Sequence, residues 1–456
     1  MDVKEAAGDM PADVDLLVSA DEMLTSDCGI AQNMAVAIHG GRIVDMGPRG
    51  DMARKYRARE TVDGSGKLLM PGLIDAHTHV CQQLLRGRLF NERPMIWTRI
   101  LVPFESNLRP DEVHAGAMLA GVEMIRAGIT CFADSGGPHM DQVAEAMIEL
   151  GLRAVLSRST MDTGDAIPTS MKESTGDAIS RTEELHAEYD GAGDGRIRIW
   201  FALRQLMTST PELVAGVLDK AKEKDTGIHI HLAEHRGEVD HCLVRYGRRP
   251  AEWLDDMGVA GDRLLAAHSV LLTDREVRML AERGAHPVHC PRANLQSHGF
   301  PKATLFREFG AQVGMGSDGA AGGPLDLFSS MRLLYLACRC YFGLPVHDAT
   351  AMSARDLIGF VTSGGAAAVR MSDTIGSIEK GKAADIILID LHQSHLSPIT
   401  PTIDSYVSFI QPADVSDVIV AGSVLMRDRR ILCVDEEHVM ARALEARESV
   451  FRRAGL

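Results

Sequence analysis

Aromatic side chains, paired cysteines and positive charge are all in short supply in this chain, and each shortage closes off a class of protein. Phe, Tyr and Trp make up only 5% of the 456 residues, whereas hydrophobic residues reach 45%. A sizeable core must therefore be aliphatic. Asp and Glu number 63 against 48 Lys and Arg, a formal net charge of −15. Phosphate-rich partners need clustered Lys and Arg, so neither a nucleic acid nor an anionic membrane is expected as a partner. The eight cysteines (28, 81, 131, 242, 290, 338, 340 and 433) contain no C-x-x-C pair, and Cys338 and Cys340 are too close together for a disulfide framework. Free thiols in a reducing cytoplasm are the expectation. The stretch Met1 to Asp15 is acidic and lacks the basic and apolar regions of a secretion signal. No run is long enough to span a bilayer. A soluble cytoplasmic enzyme follows as the expectation.

What is present is a regular alternation. Eight strand-like runs occur between residues 70 and 370: LIDAHTH, ITCFADS, RAVLSRS, RIRIWFALR, IHIHLAE, LLAAHS, AHPVHCP and QVGMGSD. Helix-period segments follow them, among them DEVHAGAMLAGVEMIRAG, MDQVAEAMIELG, PELVAGVLDKAKEK and DREVRMLAERG. Eight β/α units in a row predict an α/β fold, a closed (β/α)₈ TIM barrel. No G-x-G-x-x-G follows the first strand, which argues against an open dinucleotide-binding sheet. The flanking segments read as short strands and turns, with Gly40-Gly41 providing two-residue hairpin chemistry. KAADIILIDL and DVIVAGSVLMRDRRILCV repeat that style near the C-terminus. The predicted organisation is residues 1–69 as the first half of a small composite β-sandwich, 70–370 as the barrel, and 371–456 as the second half of the sandwich with a C-terminal helix.

Most of the eight strands end in a polar residue: His77 and His79, Asp134, Arg158, Arg204, His231, His268 and Asp318. In a barrel these ends converge at one mouth, where imidazoles and carboxylates must be paired, solvated or put to use. His77 and His79 stand two apart on the first strand and so face the same way. Together with His231 on the fifth strand and Asp318 on the eighth, they form a three-imidazole, one-carboxylate set suited to Zn²⁺ or Fe²⁺ with a position left for water. His229, one pleat deeper than His231, reads as a core histidine. His268 is expected to hydrogen-bond the water or the substrate. Glu234, three residues after His231, is placed to take a proton from the water and hand it to a leaving nitrogen. The fourth strand ends in Arg204 rather than a lysine that could bridge two ions, so one divalent ion is expected.

PGLIDAHTH, HLAE, AAHSV, GSDGA and IGSIEKGKAADIILIDL together resemble the amidohydrolase superfamily, in its branch of cytosine, guanine and adenosylhomocysteine deaminases, with s-triazine hydrolases among its relatives. The resemblance covers nearly the whole chain. It implies the barrel with a composite sandwich, His77, His79, His231 and Asp318 as ligands, Glu234 as proton shuttle, His268 as the residue that positions water or substrate, and Asp318 as the first base. The implied reaction is hydrolytic deamination of an amino-substituted heterocycle by a water that the ion activates. Relatives imply a homo-oligomer.

Two partial matches bear on the substrate. LLRG, with Trp97 and Glu105 after it, resembles methylthioadenosine/adenosylhomocysteine deaminases, which implies that Glu105 holds ribose hydroxyls and that Arg158 contacts substrate. LRQLMTSTPEL resembles guanine deaminases, which implies that Arg204 meets a ring carbonyl and Gln82 contacts the base; Gln205 stands where that group has a stacking Phe. Trp97 is a candidate stacking face. A purine-like ring with an oxo or acidic substituent at Arg204 is the leading expectation. The rivals are a pterin or s-triazine hydrolase that expels ammonia, alkylamine or chloride, and a non-catalytic scaffold. Glu234 favours a leaving nitrogen that needs a proton, and the filled ligand positions argue against a scaffold.

Overall fold

The computed structural model describes residues 11–89, 92 and 96–456. Ten residues of the acidic N-terminal stretch, and Phe90, Asn91, Arg93, Pro94 and Met95 of the segment following His79, lie outside the described residues. Two eight-stranded sheets organise the rest.

The first sheet joins the two ends of the chain. Its N-terminal half is β1 (Ala12–Leu24), β2 (Ile30–His39), β3 (Arg42–Pro48) and β4 (Tyr56–Pro71). Gly40 and Gly41 (φ 57° and 74°) make the two-residue turn between β2 and β3, and a Cβ on Gly41 would meet the Ala421 carbonyl at 2.7 Å. After the barrel the chain returns as β13 (Ile386–Asp390), β14 (Val415–Val420), β15 (Ser423–Arg427) and β16 (Arg430–Ile431). The halves meet where β13 pairs antiparallel with β4, Ile386 opposite Pro71 and Asp390 opposite Lys67. The β1–β4 pair is parallel, so the sheet is mixed.

The second sheet is the barrel: β5 (Leu73–Thr78), β6 (Ile129–Asp134), β7 (Arg153–Ser157), β8 (Ile197–Leu203), β9 (Ile228–Leu232), β10 (Leu264–His268), β11 (His286–His289) and β12 (Gly314–Met315). Every strand lies within one of the eight runs predicted from sequence, and all neighbours pair in parallel. Alternation explains how strands so apolar present imidazoles. On β9, Ile228, Ile230 and Leu232 join the large cluster packed with the surrounding helices. His229 and His231 point the other way, beside Leu265 and Ala267 of β10.

Closure brings β12 back to β5. The Asp318 N–H donates to the His77 carbonyl at 3.0 Å, and the Ser317 N–H to Asp75 Oδ1 at 2.9 Å. The approach is so close that a Cβ on Gly316 would lie 2.6 Å from the His77 carbonyl oxygen, which leaves glycine as the residue that lets Asp318 reach His77. A buried ion pair, Arg153 to Asp385 at 2.8 Å, ties β7 to the residue before β13.

Candidate active site

The strand ends converge on a cavity of about 590 Å³, within the range of a small-molecule site. His79, His231, Glu234 and Asp318 line it, with Gln82, Trp97, Arg204 and Gln205. His268 is fully buried behind its wall.

Four donor groups meet at its floor. His77 Nε2 lies 3.1 Å from Asp318 Oδ1, His79 Nε2 lies 3.6 Å from the same oxygen, and His79 and His231 face each other Nε2 to Nε2 at 3.1 Å. One ligand atom from each of His77, His79, His231 and Asp318 lies within 4.8 Å of all the others. Among the described residues His77, His268, Cys290 and Asp318 form a second group that meets the same criterion.

Hydrogen bonds set the imidazole tautomers. His231 Nδ1 lies 2.7 Å from the Arg204 carbonyl, which only accepts, so Nδ1 carries the proton and Nε2 presents a bare lone pair. Burial holds both His79 and His231 well below the ordinary imidazole range, hence neutral. His268 is locked the other way. The Cys290 N–H donates to Asn294 Oδ1 at 3.0 Å, which leaves the Asn294 amide nitrogen to donate to His268 Nδ1 at 3.0 Å. The His268 proton therefore sits on Nε2. That buried N–H has no hydrogen-bond partner; the nearest carboxylate oxygens are Glu234 Oε1 at 3.8 Å and Asp318 Oδ1 at 3.9 Å. His229 lies with Nε2 2.8 Å from His77 Nδ1, bracing that ring from below.

Local backbone aims these groups. His268, the last residue of β10, and Ser269 after it lie in the left-handed region (φ 67° and 52°), and Asp318 follows β12 at φ 63°. That conformation is unfavourable for L residues, and such residues gather at functional sites. Burial pushes the Asp318 carboxyl up, but His268 and the hydrogen bond to His77 pull it far below the usual carboxylate range.

Glu234 is gripped at both oxygens. Gln205 Nε2 donates to Oε2 at 2.6 Å, and His298 Nε2 lies 3.1 Å from Oε1. His235 Nε2 in turn lies 3.2 Å from Gln205 Oε1. Burial raises the Glu234 pKa, but His268 and His298 outweigh it and hold the carboxyl below its ordinary value. No strand-end pattern in the sequence marks Asn294 or His298, and Gln205 stands out only as the residue in place of a stacking Phe. Asn294 and His298 both sit in the short helical segment 291–298 that follows β11.

The residues expected to contact substrate separate. Gln82, Trp97 and Arg204 line the cavity. Glu105 is fully buried behind Arg204 and Gln82, accepting from Gln82 Nε2 at 2.7 Å and from the two terminal guanidinium nitrogens of Arg204 at 3.2 and 3.3 Å. Arg158 turns away from the cavity into a two-point ion pair with Glu173, at 3.1 and 2.8 Å. Among the described residues no helix is long and apolar enough to cross a membrane.

Residues 68–425 match the model of the Amidohydrolase family. The chain is 35% identical over 433 residues to the 5-methylthioadenosine/S-adenosylhomocysteine deaminase of Pelotomaculum thermopropionicum, covering 94% of this chain and 97% of that protein. It is 34% identical over 434 residues to the 5'-deoxyadenosine deaminase of Methanothermobacter thermautotrophicus, covering 93% and 96%. Among solved structures it is similar to an adenosine deaminase from Xanthomonas campestris with bound zinc, at TM-score 0.90 and 31% identity, covering 96% and 99%.

Proposed function

The chain belongs to the amidohydrolase family, and we propose that it catalyses the hydrolytic deamination of an amino-substituted heterocycle, a purine-like base or nucleoside, with release of ammonia. The observation that carries this reading is the unpartnered His268 Nε2–H, aimed between Glu234 and Asp318 beside three buried imidazoles. A buried donor left in that state costs stability unless a ligand atom meets it.

His77, His79, His231 and Asp318 would hold one divalent ion, Zn²⁺ being our assignment. The alternative group fails on two counts. His268 carries its proton on the nitrogen that would have to bind, and burial holds the Cys290 thiol well above its ordinary pKa. When bound, the ion supplies acidification of water, lowering its pKa to about 7.

The chain's own residues do the rest. Asp318, held ionised, accepts a proton from the attacking water. The His268 Nε2–H donates to the oxygen as it adds to the amino-bearing ring carbon. Glu234 takes that first proton of the water over from Asp318 at Oε1 or Oε2 and passes it to the ring nitrogen. The second proton, left on the added oxygen, goes through Asp318 to the amine, which leaves as ammonia as the carbon–oxygen double bond forms. Gln205 and His298 keep the Glu234 carboxylate turned toward that path. Arg204 and Gln82 offer donors to heteroatoms of the ring, and Trp97 offers an apolar face.

An ammonia-release screen of purines, nucleosides, pterins and triazines with the zinc-loaded protein tests the reading. Turnover of at least one aminopurine or aminopurine nucleoside is expected, and release of chloride or alkylamine without ammonia would overturn it.

A further inference from the structure

Three arginines line the cavity, and one of them stands without a counter-charge. Arg204 faces Glu105 at 3.2 Å, and Arg236 lies 3.5 Å from Asp240. Arg292 has no carboxylate oxygen within 4.0 Å of its guanidinium among the described residues. Its one hydrogen bond there runs to Ser329 Oγ at 3.2 Å, which leaves four of the five guanidinium N–H bonds free. The acid nearest in the chain, Asp326, is spent on the Ser329 N–H at 3.1 Å, where it caps the helix Leu327–Cys338.

The chain also builds a seat for this side chain. A Cβ on Gly323 would lie 2.3 Å from Arg292 Cδ and 2.5 Å from Nε, so the arginine rests directly on the Gly323 backbone. Gly323 is not among the residues with positive φ, so its missing side chain serves this contact and not a turn. The N–H groups of Gly322 and Gly323 have no hydrogen-bond partner among the described residues, and Gly322 lines the cavity beside Arg292. A guanidinium and unpaired backbone N–H groups are thus held together by the segments after β11 and β12, the seventh and eighth barrel strands. Barrels of this class frequently bind phosphate between those two segments.

We propose that Arg292 and the backbone of Gly322 and Gly323 form a subsite for a phosphate monoester, so that the substrate is an aminopurine nucleoside carrying a 5'-phosphate. The proposal rests on the deaminase reading above. A phosphate brings up to two charges and three acceptor oxygens to the four free N–H bonds, whereas a carboxylate brings one charge and two oxygens. The cavity, about 590 Å³, has room for a ring with its phosphorylated sugar.

The test uses a ring that already carries the oxo group, so binding does not depend on turnover. The zinc-loaded full chain is titrated by calorimetry with inosine, inosine 5'-phosphate and inosine 5'-carboxylate. The wild type should bind the phosphate at least about tenfold more tightly than inosine, and more tightly than the carboxylate. Arg292→Gln should lower the phosphate-to-inosine ratio at least about tenfold. Gly323→Ala, which keeps the charge but pushes the arginine off its seat, should lower it as well. Arg292→Lys guards against failure of the first variant to fold and should keep part of the preference. Arg236→Gln, on the same wall, should leave the ratio unchanged.

Five results would overturn the proposal: no binding of any of the three by the wild type, no preference for the phosphate over inosine, an equal preference for the carboxylate, a ratio in Arg292→Gln like that of the wild type, or an equal fall in Arg236→Gln. A preference for phosphate that survives in Arg292→Gln would place the phosphate on the ion. Ammonia release from neutral nucleosides together with any of these results would sink the phosphate subsite and leave the deaminase reading standing. An Arg292-dependent phosphate preference without ammonia release from any compound would do the reverse.

Discussion

Asn294 holds His268 in one tautomer: its amide nitrogen lies 3.0 Å from His268 Nδ1 while its oxygen accepts the Cys290 N–H. The substitution Asn294→Asp keeps the size and removes the donor. A carboxylate there accepts from both neighbours, which draws the His268 proton to Nδ1 and leaves Nε2 bare toward the cavity. The expected result is a fall in kcat of about 10²-fold with KM and bound metal nearly unchanged, as for the loss of an orienting partner. Steady-state kinetics with metal analysis checks it, and a kcat within twofold of wild type would show that the tautomer does not matter.

His298 reaches Glu234 from the end of the helical turn Asn294–His298, and Gln205 reaches it from just beyond β8. Removing one of the two grips lets the carboxylate rotate, and partners of this kind contribute about 10- to 100-fold. His298→Ala should lower kcat about tenfold, and His298→Gln, which keeps a donor, should recover some of it. Equal losses in both variants would mean that the imidazole matters for its shape and not for its N–H.

How much of this was legible beforehand depends on what kind of signal a residue leaves. β5 and β9 announce themselves, because a short apolar run that ends in H-x-H has both a period and a change of polarity. The eight strand positions and the cluster of His77, His79, His231 and Asp318 follow from that pattern. Asn294 and His298 carry no such mark, since they stand at the two ends of one short helical turn, too short to show a period. The Arg204–Glu105 pair joins positions 99 residues apart, so nothing local in the sequence marks it. Arg158 follows β7 directly, in a run that ends like the others, yet Glu173 on the segment that follows pairs with it away from the cavity. Strand-end polarity says which residues reach the mouth, not which neighbours they find there.

The two candidate ligand groups share His77 and Asp318 and differ in the rest, which makes them separable by metal content. Chelation should abolish activity, and zinc should restore it at one ion per chain. His231→Ala should lose the ion, because the bare His231 Nε2 is one of its four donors. Cys290→Ser should keep it. Plasma emission spectroscopy on dialysed protein reads all three, and a Cys290→Ser protein emptied of metal would reverse the assignment.

Asp134 closes β6 fully buried, with the Val80 and Gly136 N–H groups each donating at 2.8 Å to one of its oxygens. Burial nevertheless outweighs these donors and pushes its pKa up to about 6, from 3.8. A raised carboxyl pKa means that the folded chain holds a proton that the unfolded chain has already released. The stability tied to Asp134 is therefore fully present below about pH 4 and is lost as pH rises through 6. Asp134→Asn does not titrate, so it isolates this group from all others. The variant is expected to be less stable than wild type at pH 4, because its amide nitrogen cannot accept from a backbone N–H. The deficit should shrink by about 3 kcal/mol between pH 4 and pH 7 as the wild type takes on the cost of a buried charge. Urea unfolding of both proteins across that range measures the gap. A gap that stays flat or widens with pH would mean that the two backbone donors suffice to hold Asp134 ionised at no cost.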